Sequence, residues 1–316
     1  MNFKKKYNLY FHNDFDGMAS GAIMLNFLKS KGGDIRNFFP VNHPMSHEKW
    51  VSFKLKKPAI IFDFFYHPDA EIWTDHHQTT FVKKEWQKKF KNGKLRQWNF
   101  KSPSNSEFLI NHLRKNLGFK PAPFIKELAE WADIIDSAGY KSVKQVFDLR
   151  IPAKQICFAQ DEDYSAGFMK FLIKELSQKS MKKVANLPKV KKLVKRYKNK
   201  FSSSIKYFKN NFEVIGKTGF LKIEKERLID YHFISYYFDR NIYFSVDLIK
   251  RRGFFKLHAD INPWHKPKSY KKIDIGKFMR ENYDGGGHAG VGAAMIRGEG
   301  RAFKAAQEVI KYLNNF

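Results

Sequence analysis

The stretch Pro58 to His77, PAIIFDFFYHPDAEIWTDHH, decides how the chain is read. Pro58 to Phe65 is an apolar run that reads as a buried strand, and its only charge, Asp63, stands close to its end. Ile72-Trp73-Thr74 reads as a further short strand that delivers Asp75, His76 and His77. Upstream, Tyr7 to His12 (YNLYFH) is another apolar strand, running into the polar loop Asn13 to Gly17 and then into a helical pattern through Ala19, Ile23, Leu25 and Leu28. Strand, acidic loop and helix form the opening unit of an α/β domain. In open α/β sheets ligands collect at the carboxyl ends of strands, and Asp and His recur at those ends here.

Working outward, residues 81–101 carry lysines and tryptophans and read as a surface loop or a short basic helix. Ser104 is placed to cap an amphipathic helix that stops at Gly118. Another helix, Phe124 to Ala132, carries straight into Asp133-Ile134-Ile135-Asp136. From Asn186 a long helix is expected, because Leu187, Val190, Val194, Tyr197, Phe201, Ile205 and Phe208 recur at helical spacing among many lysines. The pattern then changes to strands over Phe212 to Ile223, Ile229 to Phe238, Ile242 to Ile249 and Phe254 to Ile261, with Arg251-Arg252-Gly253 as a hairpin turn. A helix over Ile273 to Asn282, a loop over Asp284 to His288 and a helix over Arg301 to Leu313 complete the chain. The expected fold class is α/β: a mainly parallel sheet with flanking helices over residues 1–180, a basic helical linker over 181–211, and a smaller α+β domain with a mixed sheet over 212–316.

The chain has 316 residues, 43% hydrophobic and 16% aromatic, which fits globular domains and excludes a disordered chain. Its one cysteine, Cys157, excludes an intramolecular disulfide and a cysteine-rich zinc site, and points to a reducing, cytoplasmic setting. The apolar stretch near the N-terminus is short and broken by His12, Asn13 and Asp14, unlike a signal peptide. No run approaches the roughly 18 to 20 apolar residues that span a bilayer, so no membrane partner is expected. Lys and Arg number 59 against 31 Asp and Glu, a net charge of +28 that concentrates polyanions near the surface. An AT-rich coding bias would also enrich Lys, Phe and Asn, so the charge supports an anionic substrate without identifying one.

Each polar constellation has a plain reading and a chemical one. His12, Asp14 and Asp16 alternate at the end of a strand, where they can converge on one or two metal ions, and Gly17 permits a sharp turn; polar loops after strands are also commonplace. Asp63, in an apolar strand, needs a partner, which is either a hydrogen-bonding group or an ion. His76 and His77 can be ordinary surface or core histidines, or offer an imidazole ligand and a phosphate contact with Asp75 orienting a ring. Asp133 and Asp136 can add a carboxylate, or simply cap and turn the chain. Gly285, Gly286 and Gly287 can form a flexible turn or bring backbone N–H groups close to an anion, and the His288 imidazole at the end of the run favours the second.

In their order along the chain, HNDFDG, IFDFF, TDHH, WADIID and DGGGHAG resemble the motifs of the DHH phosphoesterase superfamily with its DHH-associated C-terminal domain, in the branch of nanoRNases, RecJ-like exonucleases and small phosphodiesterases. The resemblance covers nearly the whole chain. It implies that His12, Asp14 and Asp63 hold one metal ion while Asp16, Asp63, His76 and Asp133 hold another, with Asp136 as the alternative to Asp133. It further implies that Asp63 bridges, His77 faces the scissile phosphate, Asp75 supports the histidines, and Gly285 to His288 bind substrate phosphates. The implied cofactor is Mn2+, two ions, with Mg2+ or Co2+ as substitutes. The glycine motif departs from the family's where two alanines are replaced by Val291 and Gly292. The arginine that relatives carry on a strand of the second domain has no clear counterpart: Arg251 and Arg252 occupy a turn, and His258 stands closer to that position.

The function implied is hydrolysis of short oligonucleotides or nucleotide phosphoesters to nucleoside monophosphates, with an ion-activated hydroxide attacking phosphorus in line and no protein nucleophile. The alternatives are a RecJ-like single-strand exonuclease, a linear or cyclic dinucleotide phosphodiesterase, and a non-catalytic replication-associated homologue. The partner is then a short single-stranded nucleic acid or nucleotide, and a homodimer is compatible with it.

Overall fold

The computed structural model describes residues 3–42, 47–225, 228–229 and 232–316. The chain divides into two units, residues 1–140 with 149–195 and residues 141–148 with 196–316. The last of the three boundaries, at 195/196, falls inside the helix Pro188–Asn210.

The first unit holds five strands, β1 (Lys6–His12), β2 (Asp34–Val41), β3 (Ala59–Phe62), β4 (Ile72–Asp75) and β5 (Arg96–Trp98). They pair in the order β2-β1-β3-β4-β5, every pair parallel. Strand side chains alternate between the faces. Leu9, Phe11, Ile60, Phe62 and Ile72 therefore enter one core, while Tyr10, Ala59, Ile61 and Trp73 enter another. The first core surrounds the helix Phe15–Ser30, whose small residues Gly17, Ala19, Ser20, Gly21 and Ala22 let neighbours close in on every side. The second is aromatic, with Trp50, Phe64 and Trp73 fully enclosed.

Two strands have no counterpart in the apolar pattern. β2 includes Arg36, Asn37 and Pro40, tolerable because it is an edge strand; β5 is three half-buried residues on the other edge. Asp63 lies just past β3 rather than within a strand to Phe65, and its backbone is left-handed, φ 57°. The helix Asn105–Leu117 starts as read: the Ser104 hydroxyl accepts from the Glu107 N–H, and Gly118 ends it in the left-handed region.

The second unit holds β6 (Phe212–Ile215), β7 (Thr218–Ile223), β8 (Phe244–Arg251), β9 (Phe254–Ile261), β10 (Gly286–His288) and β11 (Val291–Ile296). Their order is β10-β11-β9-β8-β7-β6, with β7 and β8 parallel and the other pairs antiparallel. The expected parallel sheet and mixed sheet are both present. Within the second unit the strand expected over Ile229 to Phe238 is replaced by a short helix, Ile234–Phe238, whose aromatic, β-branched composition imitates a strand; residues 230 and 231 lie outside the described residues. Gly286 to His288, expected as loop, forms the edge strand β10. Phe244, Val246, Leu248, Leu257 and Ala259 pack under the helix Glu299–Asn314, through Ala302, Ala306, Val309 and Leu313. Among the described residues no helix is long and apolar enough to cross a membrane.

Candidate metal centre

The carboxyl ends of β1, β3 and β4 bring His12, Asp63 and the triplet Asp75-His76-His77 to one edge of the parallel sheet. The helix Phe15–Ser30 adds Asp16 from its first turn, and Asp14 caps that helix by accepting the Gly17 N–H at 2.9 Å. Asp136 arrives from the last turn of the helix Pro123–Asp136.

Asp63 is the centre of the group. Its Oδ2 lies 3.5 Å from His12 Nδ1, which also meets Asp14 Oδ2 at 2.6 Å. Its Oδ1 lies 3.3 Å from His76 Nε2 and 3.6 Å from His77 Nδ1. The carboxylate is 1% exposed, and neither oxygen has a hydrogen-bond partner of sound geometry. His76 Nε2 is in the same position and faces three carboxylates, Asp63 at 3.3 Å, Asp136 Oδ2 at 3.4 Å and Asp16 Oδ2 at 3.9 Å. Buried polar atoms of this kind are costly unless something satisfies them. A divalent cation suits the set, since carboxylates and imidazoles are its ligands and their atoms lie within 4.8 Å of one another in each group.

Supporting contacts fix the rings and carboxylates. The Ser102 carbonyl lies 3.1 Å from His76 Nδ1, so a proton on Nδ1 leaves Nε2 its lone pair. Asp75, 1% exposed, accepts from the backbone N–H of His76 at 2.8 Å and from the Thr80 hydroxyl, and pairs with His77 Nδ1 at 2.8 Å. It is thereby an orienting group for both histidines, and the His77 side chain remains 37% exposed. Asp16 is held by the first N–H groups of the helix Asn105–Leu117, from Asn105 at 2.7 Å and Ser106 at 2.8 Å, a helix N-terminus gripping an anion. Asp133, one turn before Asp136, takes the Ser104 hydroxyl at 3.1 Å instead of joining the cluster.

The charges respond to this crowding. Burial, with Asp63 and Asp14 nearby, pushes the Asp136 carboxyl up to about 7. Burial and then Asp63, Asp136 and Asp14 push Asp16 well above the usual carboxylate range, in spite of its two N–H donors. Burial works against a charged His12, but its contacts with Asp14 and Asp63 prevail and hold its pKa up at about 11. His76 likewise loses from burial and gains more from Asp63, Asp16 and Asp136, reaching about 10. The cluster thus binds positive charge in the form of protons, on the groups that would ligate an ion.

Ser102, Asn105, Ser106, Thr80 and Trp98, whose indole N–H donates to the His77 carbonyl at 2.8 Å, are absent from the motif reading. The Asp136 position did carry a signal: a helix ending in two aspartates with no base in its last turn opposes its own dipole, and such a cost calls for a nearby cation.

In the second unit, Gly286, Gly287 and His288 pair with Ala293, Gly292 and Val291. Gly287 has φ 139°, and a Cβ there would overlap the Val291 carbonyl oxygen, so the strand needs glycine. The Arg280 guanidinium donates to the Gly287 carbonyl at 3.1 Å, and His288 is exposed. On β8 and β9 His258, which the sequence sets near the position of the relatives' arginine, lies in a buried network whose other members, Asp247, Asp260 and Tyr236, carry no motif. Asp247 and Asp260 meet His258 Nδ1 at 3.3 Å and 3.7 Å, and Tyr236 donates its hydroxyl proton to Asp260. Arg251 and Arg252 are at the β8–β9 turn, as read.

No family model matches the sequence, and a search of curated proteins returns no match. Solved structures do match. A pGpG-specific phosphodiesterase, PggH, from Vibrio cholerae superposes with a TM-score of 0.72 at 20% identity, over 98% of this chain and 98% of that one. The DHH domain of a member of a family of ribosomal proteins gives 0.62 at 14% identity, over 97% and 87%. RecJ from Thermus thermophilus, in complex with Mn2+, gives 0.55 at 13% identity, over 98% of this chain but 52% of its own. The resemblance carried by the five motifs therefore has its counterpart in the fold.

Proposed function

We propose that this chain, which has the fold of the DHH phosphoesterases, is a divalent-metal-dependent phosphodiesterase cleaving short linear nucleotide diesters, dinucleotides foremost, to nucleoside monophosphates. The observation that carries this reading is the division of Asp63, one oxygen toward His12 and Asp14, the other toward His76 among Asp16 and Asp136. A single carboxylate shared by two ligand groups suits two ions held close together.

In this reading His12, Asp14 and Asp63 hold one ion and Asp16, Asp63, His76 and Asp136 the other, with Asp133 supporting through Ser104. Manganese is the proposed ion, with magnesium or cobalt as substitutes. Such ions, when bound, lower the pKa of water and neutralise charge on phosphoryl oxygens. The chain's residues do the rest. Asp75 keeps the His77 ring turned, with its exposed edge available to the scissile phosphate. The helix N-terminus on Asp16 and the Ser102 carbonyl on His76 keep both ligands from drifting. We also propose that Gly285 to His288 bind substrate phosphates through backbone N–H groups and the imidazole, and that the second unit serves as the substrate-binding domain.

Preference for a short substrate is supported by the likeness to PggH along the full length of both chains, whereas RecJ is about twice as long. The net charge of +28 favours the second reading, a RecJ-like exonuclease. A product time course with manganese separates them, using a linear dinucleotide, 5′-labelled RNA and DNA of graded length, pAp and a cyclic dinucleotide. Fastest cleavage of the linear dinucleotide, abolished by chelator, is expected. Rates that climb with length would transfer the assignment to the exonuclease, and no hydrolysis with any divalent ion would remove the enzyme reading.

A further inference from the structure

We infer that Phe100 is the stacking platform for a nucleobase beside the scissile phosphate, so that the proposed phosphodiesterase selects diesters bearing bases over bare phosphoesters. The inference rests on the reading above for the identity of the phosphate, and it is carried by the turn Asn99 to Ser102.

That turn is closed by the Ser102 N–H on the Asn99 carbonyl at 3.0 Å, which places Phe100 and Lys101 at its apex. Every flank of the turn is tied to the triplet. The Asn99 N–H donates to the Asp75 carbonyl at 3.1 Å, the Ser102 carbonyl meets His76 Nδ1 at 3.1 Å, and the Trp98 indole donates to the His77 carbonyl at 2.8 Å. Phe100 therefore has little freedom to move relative to His77.

Its ring is nonetheless 46% exposed. One side rests on Trp98, centroids 5.4 Å apart and planes at 42°, and Trp98 is itself braced by Phe81 at 5.2 Å. A single exposed aromatic is ordinary on a protein surface. One at the apex of a turn whose backbone is bonded to Asp75 and His76, and which follows the Trp98 that holds the His77 carbonyl, is in a different situation: a polar residue there would make the same turn without exposing apolar area. Exposed Lys101 follows Phe100 at the apex of the same turn, so a cation stands next to the platform in the chain. An aromatic face beside positive charge is the arrangement that holds a base while its phosphate is engaged nearby, and it tolerates any base.

The test compares wild type, Phe100→Ala and Phe100→Trp on a linear dinucleotide and on the same dinucleotide made abasic, with manganese. Phe100→Ala is expected to raise KM for the base-bearing substrate about tenfold with kcat within about twofold, and Phe100→Trp to restore it. KM for the abasic substrate should be the same in all three. An unchanged KM in Phe100→Ala, or an equal loss on the abasic substrate, would overturn the inference. Equilibrium binding of both dinucleotides, measured calorimetrically, separates this from the reading it rests on. Wild type that binds the base-bearing dinucleotide more tightly than Phe100→Ala without cleaving it keeps the platform and removes the phosphodiesterase; wild type that binds neither overturns the platform.

Discussion

Asp133 and Asp136 sit one helical turn apart, and what each faces separates them. Asp136 Oδ2 is 3.4 Å from His76 Nε2, whereas Asp133 holds the Ser104 hydroxyl. Asp136 is pushed up to about 7, and His76 and His12 are raised to about 10 and about 11. Near pH 7 all three positions hold protons wholly or in part, and a ligating ion must displace them. Manganese binding is accordingly expected to release protons at neutral pH and to tighten as pH rises from about 6 to about 8. Titration calorimetry in buffers of different ionisation enthalpy measures both. Asp136→Asn should weaken the ion by at least about tenfold, while Asp133→Asn changes it much less. An affinity indifferent to pH, or the reverse ranking of the two variants, would contradict the ligand assignment.

At the scale of the element, Gly17 has a different task from the turn its sequence position suggests. It lies in the first turn of the helix Phe15–Ser30, where a Cβ would overlap the His12 carbonyl oxygen and crowd its nitrogen. The close approach seats the start of the helix, with Asp14 and Asp16, against the end of β1, with His12. Gly17→Ala should destabilise the protein by about 1–3 kcal/mol through overpacking, and lower turnover because strand and helix must part. An unchanged denaturation midpoint with full activity would refute the packing argument. The strands that carry the site were legible for a related reason: β1, β3 and β4 are central, and burial on both faces writes them as continuous apolar runs. The edge strands β2 and β5 face fewer neighbours, keep polar residues and left no such trace. Asp63, His76 and His77 could be read because polar groups in apolar surroundings stand out. Ser102 acts on His76 through its backbone carbonyl, and Asn105 and Ser106 on Asp16 through backbone N–H groups, so side-chain chemistry does not reveal those contacts. The short helix Ile234–Phe238 was illegible because its residues favour a strand and only tertiary packing, with Ile234 and Tyr236 fully buried, overrides them.

At the scale of the whole molecule, 59 basic residues stand against 31 acidic ones, a charge far larger than the few carboxylates of the candidate metal centre. Part of it lies on the helix Pro188–Asn210, where Val190, Val194, Tyr197 and Phe208 are buried and Lys191, Lys192, Lys195, Arg196 and Lys198 are exposed. Charges of this kind add little to stability as separate surface groups, but their summed field acts on an approaching anion before any contact is made. That field is screened within about 10 Å at 0.1 M salt. A charge that serves substrate capture must therefore reveal itself as a salt effect on encounter rather than on chemistry. For a linear dinucleotide, kcat/KM is expected to fall by about fivefold or more between about 0.05 M and 0.3 M potassium chloride, while kcat is nearly constant. For a longer single strand the fall should be steeper, because more phosphates release counterions. Steady-state kinetics at constant manganese, with the salt varied, distinguishes this from a field that is only a by-product of composition. Flat kcat/KM for both substrates would leave the surface charge without a part in the reaction, and the burden of binding would return to the metal centre and its immediate neighbours.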